Sequence, residues 1–159
     1  MDELVEKIVK VLIERQNQSF TISCDRFVVQ ERTVKDFAHH QKIHLIHVGI
    51  LQLVKFSKFD DSDPITSWLL KGIEFGCEIV LHLCFSAANF IPIELFEWPI
   101  TLINNQEKRL RYINHKIITY SEAALLRKND ILIRLHNQQI TNLAEEYLRC
   151  NKIQQIVRS

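Results

Sequence analysis

Apolar positions follow two different periods along the chain. Residues 2–15, DELVEKIVKVLIER, set Leu4, Val5, Ile8, Val9, Leu12 and Ile13 at the i, i+1, i+4, i+5 spacing that forms one apolar stripe on a helix. The opposite face is charged. Glu3 and Lys7, and Glu6 and Lys10, stand four apart in the favourable order, while Asp2 and Glu3 at the start and Arg15 near the end complement the helix dipole. Gln16-Asn17-Gln18-Ser19 then reads as a short linker. The division this predicts is an amphipathic helix with its linker over 1–18, followed by a single domain over 19–159.

From residue 42 the pattern switches to short β-branched runs separated by helical stretches. KIHLIHV (42–48) and CEIVLHLCF (77–85) read as buried strands, and ILQLVKFSK between them as a short helix. A second helix starts at Pro64, with Asp63 as N-cap and Gly76 just past the end. Ser86 is the expected cap of a helical stretch reaching towards Trp98, broken at Pro92, before a strand in PITLI. Strand, helix, strand, helix, strand at this spacing predicts parallel pairing through right-handed crossovers. After the turn Asn104-Asn105-Gln106, RLRYIN, HKIIT, ILIRLHN and KIQQIVR read as short strands. Two small helices interrupt them, one capped by Ser121 and one by Thr141 or Asn142. The fold class is α/β: a mostly parallel sheet flanked by helices, with a β-rich C-terminal half and an amphipathic N-terminal helix.

Composition narrows the function classes. The 159 residues are 47% hydrophobic and 25% charged, as in ordinary globular domains, so disorder is excluded. With Gly49, Gly72 and Gly76 as the only glycines, neither the dinucleotide-binding G-x-G-x-x-G nor the phosphate-cradling G-x-x-x-x-G-K-[ST] can be written. A net charge of +1 recommends neither DNA nor anionic lipid. Cys24, Cys77, Cys84 and Cys150 form no C-x-x-C pair, which predicts reduced thiols in a cytoplasm. No run approaches the length of a membrane span, and no leader pattern opens the chain.

Candidate chemistry is sparse. His39, His40, His44 and His47 are the most conspicuous metal-capable cluster, but a strand over 42–48 points positions 44 and 47 apart. His82 and Cys84 share a strand face, with no third residue to orient a catalytic pair. Asp60, Asp61 and Asp63 lack the spacing of a calcium loop. Tyr112 among Arg109, Arg111 and Lys116 could follow a single strand of nucleic acid, although alternating charges also protect an edge strand from aggregation. Gly72 and Gly76 form a G-x-x-x-G whose remaining uses are close helix packing and a C-terminal cap. The expectation is therefore no catalytic, cofactor-binding or metal-ligating residues.

The apolar stripe has two readings: it packs on its own domain, or it is presented to a partner groove. Its near-neutral polar face disfavours a membrane surface.

Taken in order, HLIHVGILQLVKF (44–56), DPITSWLLKGIEFGCEIVLHL (63–83), LFEWPITL (95–102), ITYSEAALLRKNDILIRL (118–135) and ITNLAEEYLRCNKIQ (140–154) resemble the PduM family of the bacterial propanediol-utilisation microcompartment. Glu145 and Glu146 depart from its pattern, and so does the stretch 16–41. The resemblance implies a non-catalytic protein needed to build or maintain the compartment, located in a bacterial microcompartment in the cytoplasm. Its implied partners are shell proteins or encapsulated core proteins, contacted through Leu4, Val5, Ile8, Val9, Leu12 and Ile13. A second expectation comes from fold analogy alone: a small ligand, flavin- or cobalamin-related, at the carboxyl ends of the parallel strands.

Overall fold

A computed structural model describes residues 2–159. The chain begins with α1 (Glu3–Gln16), and the strand β1 (Ser19–Ser23) follows it after two residues. Two 3-10 turns and the short helix α2 (Lys35–His39) lead into β2 (Lys42–Val48), the helices α3 (Ile50–Ser57) and α4 (Pro64–Glu74), and β3 (Glu78–Leu83). Then come β4 (Ile100–Ile103), β5 (Arg109–Tyr112), β6 (Ile117–Ile118), α5 (Tyr120–Ala123), β7 (Asp130–Leu135), β8 (Gln139–Ile140), α6 (Asn142–Cys150) and β9 (Gln154–Arg158). Seven strands form one sheet in the order β1-β2-β3-β4-β5-β7-β9, and β6 pairs β8 in a separate ribbon.

The sheet consists of two parallel blocks joined back to back. β1 to β4 are parallel, β5, β7 and β9 are parallel, and the β4–β5 seam is antiparallel. The mixed α/β class and the strand-rich C-terminal half read from the sequence are what the structure shows. The strand β1 was not assigned from the sequence: SFTIS alternates polar and apolar residues but offers only two apolar positions, and its pairing with β2 rests on neighbours 23 residues away, Phe20 with Ile43 and Ile22 with Leu45.

The first block is covered on one face and the second on both. Ile43, Leu45, Val48, Ile79, Leu81 and Leu83 pack against Leu53 and Phe56 of α3, Leu69 of α4 and Phe37 of α2 in the first core. In the second block Ile131 and Ile133 join that core, whereas Leu132, between them on the pleat, packs with Ala123 of α5 and Ala144 and Leu148 of α6 in a second core. The face of β1–β4 away from the first core carries Thr21, His44, His82 and Thr101.

Local chemistry explains most helix limits. Asp63 accepts from Thr66 N at 2.9 Å and Pro64 occupies the first turn, while Gly76 takes φ +69° just beyond the end. Gly72 lets α4 approach Phe37 and Ile79, the close packing expected of it. Two expectations need correction. Ser86 caps nothing, and 86–98 forms two 3-10 turns, Ala88–Phe90 and Ile93–Glu97, on either side of Pro92, whose ring and missing N–H prevent a continuous helix. The cap of α5 is Thr119 rather than Ser121, in a reciprocal capping box with Glu122.

Candidate functional site

α1 is the most exposed apolar element of the chain. Asp2 caps its start by accepting from Leu4 N at 3.3 Å, and Glu3 pairs with Lys7 at 2.8 Å. At the other end Arg15 Nε donates to Phe37 O at 3.0 Å, and its Nη2 donates to Phe75 O at 3.0 Å and approaches Cys77 Sγ at 3.4 Å. Gln41 N–H donates to both Arg15 O and Gln18 O at 3.2 Å. The helix is thus stitched to the body at its last turn.

Leu4, Val5, Ile8, Val9, Leu12 and Ile13 are between 43% and 61% exposed, and no residue of α1 is buried among the described residues. Val11, at 53% exposed, lies next to Leu4 and Ile8 around the helix and widens the stripe. Sequence reasoning left it out because it falls outside the i, i+1, i+4, i+5 series. Isolated exposed aliphatics are ordinary; seven on one helix make a contiguous apolar surface of the kind that marks an interaction site.

The other candidate residues are not brought together. His40 Nδ1 donates to Asp36 O at 2.8 Å, His44 Nδ1 meets His82 Nε2 at 2.8 Å, and His47 Nδ1 meets Ser23 Oγ at 2.8 Å. His39 is exposed at the end of α2. Among the described residues no three His, Cys, Asp or Glu side chains converge as a metal site.

Ser23, His47 and Asp25 form a superficial triad at the carboxyl ends of β1 and β2, but Asp25 Oδ2 approaches the same Nδ1, at 3.4 Å, that faces the serine. A relay needs the acid on one ring nitrogen and the hydroxyl on the other. The pairing of His82 with Cys84 does not form either, because His82 Nε2 is engaged by His44 and Cys84 lies past the end of β3. Nearby, burial and then the charges of Asp25 and Asp63 push the Cys24 thiol up to about 12, so it carries no thiolate at neutral pH.

The acidic loop is used structurally. Asp63 caps α4 and takes Lys55 Nζ at 3.0 Å, and Asp60 Oδ1 accepts from Ser62 N at 3.2 Å. In the basic stretch Arg109 holds Asp130 with two bonds, Nε to Oδ1 at 2.9 Å and Nη2 to Oδ2 at 2.6 Å. Among the described residues no helix is long and apolar enough to cross a membrane.

No curated protein and no solved structure matches the chain. The model of one protein family, described as "Putative propanediol utilisation", matches residues 3–154, nearly the whole length and including all of α1 and the complete sheet up to the start of β9. By that match the chain belongs to the propanediol-utilisation family.

Proposed function

We propose that the protein is a non-catalytic assembly component of the propanediol-utilisation microcompartment, of the PduM type, attached through α1 to a shell protein or to encapsulated core proteins. The observation that carries this reading is the helix itself: a capped, charge-matched element with seven half-exposed aliphatics, fixed to the body only at its C-terminal turn. Burying aliphatic side chains from water is worth roughly 1.5–3 kcal/mol each, which supplies the affinity for an apolar groove. Membership of the family gives the setting, and the scattered placement of the titratable residues described above favours assembly over catalysis.

A fluorescent reporter fused to residues 1–18 tests the docking element. It is expected to co-purify with intact compartments, and a reporter that stays diffuse in cells with normal compartments removes the proposal. Ile8→Glu with Leu12→Glu in the full chain is expected to release the protein while leaving its circular dichroism and melting temperature near those of the parent, since neither side chain is buried in its own subunit.

A further inference from the structure

The reversal of the sheet between β4 and β5 is incomplete. The ladder holds at Ile103 with Arg109 and Leu102 with Leu110, and Asn104 N–H donates to Lys108 O at 3.0 Å to close the hairpin. In continued register Thr101 would face Arg111, and Ile100 would face Tyr112. Neither rung forms, although Ile100 and Thr101 stay paired with β3, and Arg111 and Tyr112 with β7. Alternate rungs of an antiparallel ladder exchange both main-chain bonds, and Ile100 with Tyr112 would have been the next such rung.

The connections explain the parting. The chain enters β4 through Leu95, Phe96 and Trp98, which pack in the first core, and leaves β5 through Ile113 and Ile118, which belong to the second core on the other face. Adjacent strands whose connections depart to opposite faces part and leave a crevice, here between the amino end of β4 and the carboxyl end of β5, an antiparallel counterpart of the switch-point crevice of parallel sheets.

This crevice has a volume of ≈ 240 Å³ and is lined by Thr101, Arg109, Arg111, Phe96, Trp98 and Tyr112 among others. At ~30 Å³ per water that is room for roughly eight waters, enough for a compact molecule and below the ~300–1,000 Å³ of drug-sized or cofactor pockets. Its lining carries two cationic side chains, Arg109 and Arg111, and no acidic one. Arg109 is satisfied by Asp130, and Glu97, next to the aromatic wall, accepts from Asn114 Nδ2 at 2.7 Å. Arg111 is partly buried and, among the described residues, has neither an ion-pair nor a hydrogen-bond partner for its guanidinium. Burial first, then the charge of Arg109, push its pKa below the ordinary arginine range against a partial offset from Asp130, so its cationic form gains from an anion placed beside it.

We propose that the β4–β5 crevice binds a small oxyanion, a carboxylate or phosphate group on a compact apolar body. Thr101 and Arg111 stand on the pleat face of Leu132 and take the oxyanion, while Phe96, Trp98 and Tyr112 line the gap from the first-core face and wall the apolar part, so the ligand lies in the gap between the two strands. A planar fork of donors beside aromatic faces suits such a ligand. The site is independent of docking through α1, which lies on another part of the chain.

The test uses the full-length protein and the two tryptophan indole N–H signals in ¹H–¹⁵N spectra, with benzoate and phenyl phosphate as probes at constant ionic strength. Trp98 lines the crevice, whereas Trp68 on α4 lines a different cavity beside Arg32 and Lys71, so its signal separates binding at the crevice from binding elsewhere. A saturable shift of the Trp98 signal, with Trp68 unmoved, is expected for at least one probe, and the stronger probe identifies the oxyanion class. Arg111→Ala is expected to weaken binding about tenfold or more, as loss of a charge-assisted pair does, with Arg111→Lys intermediate. The melting temperature of Arg111→Ala is expected at or above that of the parent, which separates a binding role from a folding role. Absence of a saturable Trp98 shift with both probes, or unchanged affinity in Arg111→Ala, overturns the proposal.

Discussion

His44 Nδ1 and His82 Nε2 stand 2.8 Å apart across the parallel pair β2–β3, on the sheet face opposite the first core. One ring must donate and the other accept, so the contact survives with both rings neutral or one protonated and fails when both are. Burial, then the charges of His82 and Lys42, lower the pKa of His44 from 6.5. A histidine that resists protonation in the folded state contributes stability above its unfolded pKa and loses it as pH falls below about 6.5. An NMR titration of the imidazole Cε1–H signals is expected to place the His44 midpoint below 6.5. In His82→Gln that midpoint should move upward, because the neighbouring cation is gone. A midpoint that stays where it was would mean that burial and Lys42 set it without His82.

Asp63 ties α3 to α4 through one carboxylate. Burial by itself would raise its pKa, but hydrogen bonds from Gln52, Thr66 and Lys55 outweigh it and hold the group at about 2 instead of 3.8. The sign follows directly: the stabilisation is complete above about 3.9 and is lost as pH falls towards about 2, and it is worth about 2 kcal/mol. Asp63→Asn is expected to lower stability at neutral pH by about that amount and to flatten the dependence of stability on pH between about 4 and 2. Urea unfolding at a series of pH values measures both effects.

Arg109 and Asp130 are the most enclosed ion pair of the sheet, with the aspartate side chain 3% exposed. Removing one member leaves the other charge desolvated, so Asp130→Ala is expected to cost about 3 kcal/mol. Arg109→Met combined with Asp130→Leu should recover part of this, and only part, because Arg127 N–H, now donating to Asp130 Oδ2 at 2.8 Å, loses its acceptor. Chemical denaturation of the two single variants and the double variant gives the coupling energy. If the double variant costs as much as the sum of the singles, the pair is not coupled.

A methyl group added at Gly72 would meet Phe37 Cε1 at 3.0 Å and Ile79 Cδ1 at 3.2 Å, both on fully buried side chains. Overpacking costs roughly 1–3 kcal/mol, and the better helix propensity of alanine returns about 1. Gly72→Ala is therefore expected to destabilise by about 1 kcal/mol, a fall of about 2–4 °C in melting temperature for a chain of this size. Calorimetry decides it, and a rise in melting temperature would show that Phe37 can shift.

Elements stabilised by their own residues were legible in the sequence. The stripe of α1, the Asp63-Pro64 start of α4 and the Gly76 end each state their structure within one or two turns of chain, and α3 and the buried strands β2 and β3 do so by period. The strand β1 was missed although Ser19, Thr21 and Ser23 alternate with Phe20 and Ile22, because five residues beside a polar linker give the period only two apolar repeats and the register is set by β2. The stretch 86–98 contained a cap-like serine and a proline, and nothing local ranked two 3-10 turns above a broken helix.

The amino-acid sequence by itself determined the class of the fold, the amphipathic N-terminal helix and the absence of glycine loops for nucleotides, since each depends on residues near one another in the chain. Tertiary structure alone decided that the α1 stripe stays uncovered, that the histidines disperse to Asp36, His82 and Ser23, and that Arg111 lines the β4–β5 crevice while Arg109 takes the Asp130 carboxylate. These outcomes depend on which strands meet at the β4–β5 seam and on which face each connection leaves the sheet. Such long-range pairings are selected by the burial of both cores together, and no short stretch of sequence carries them.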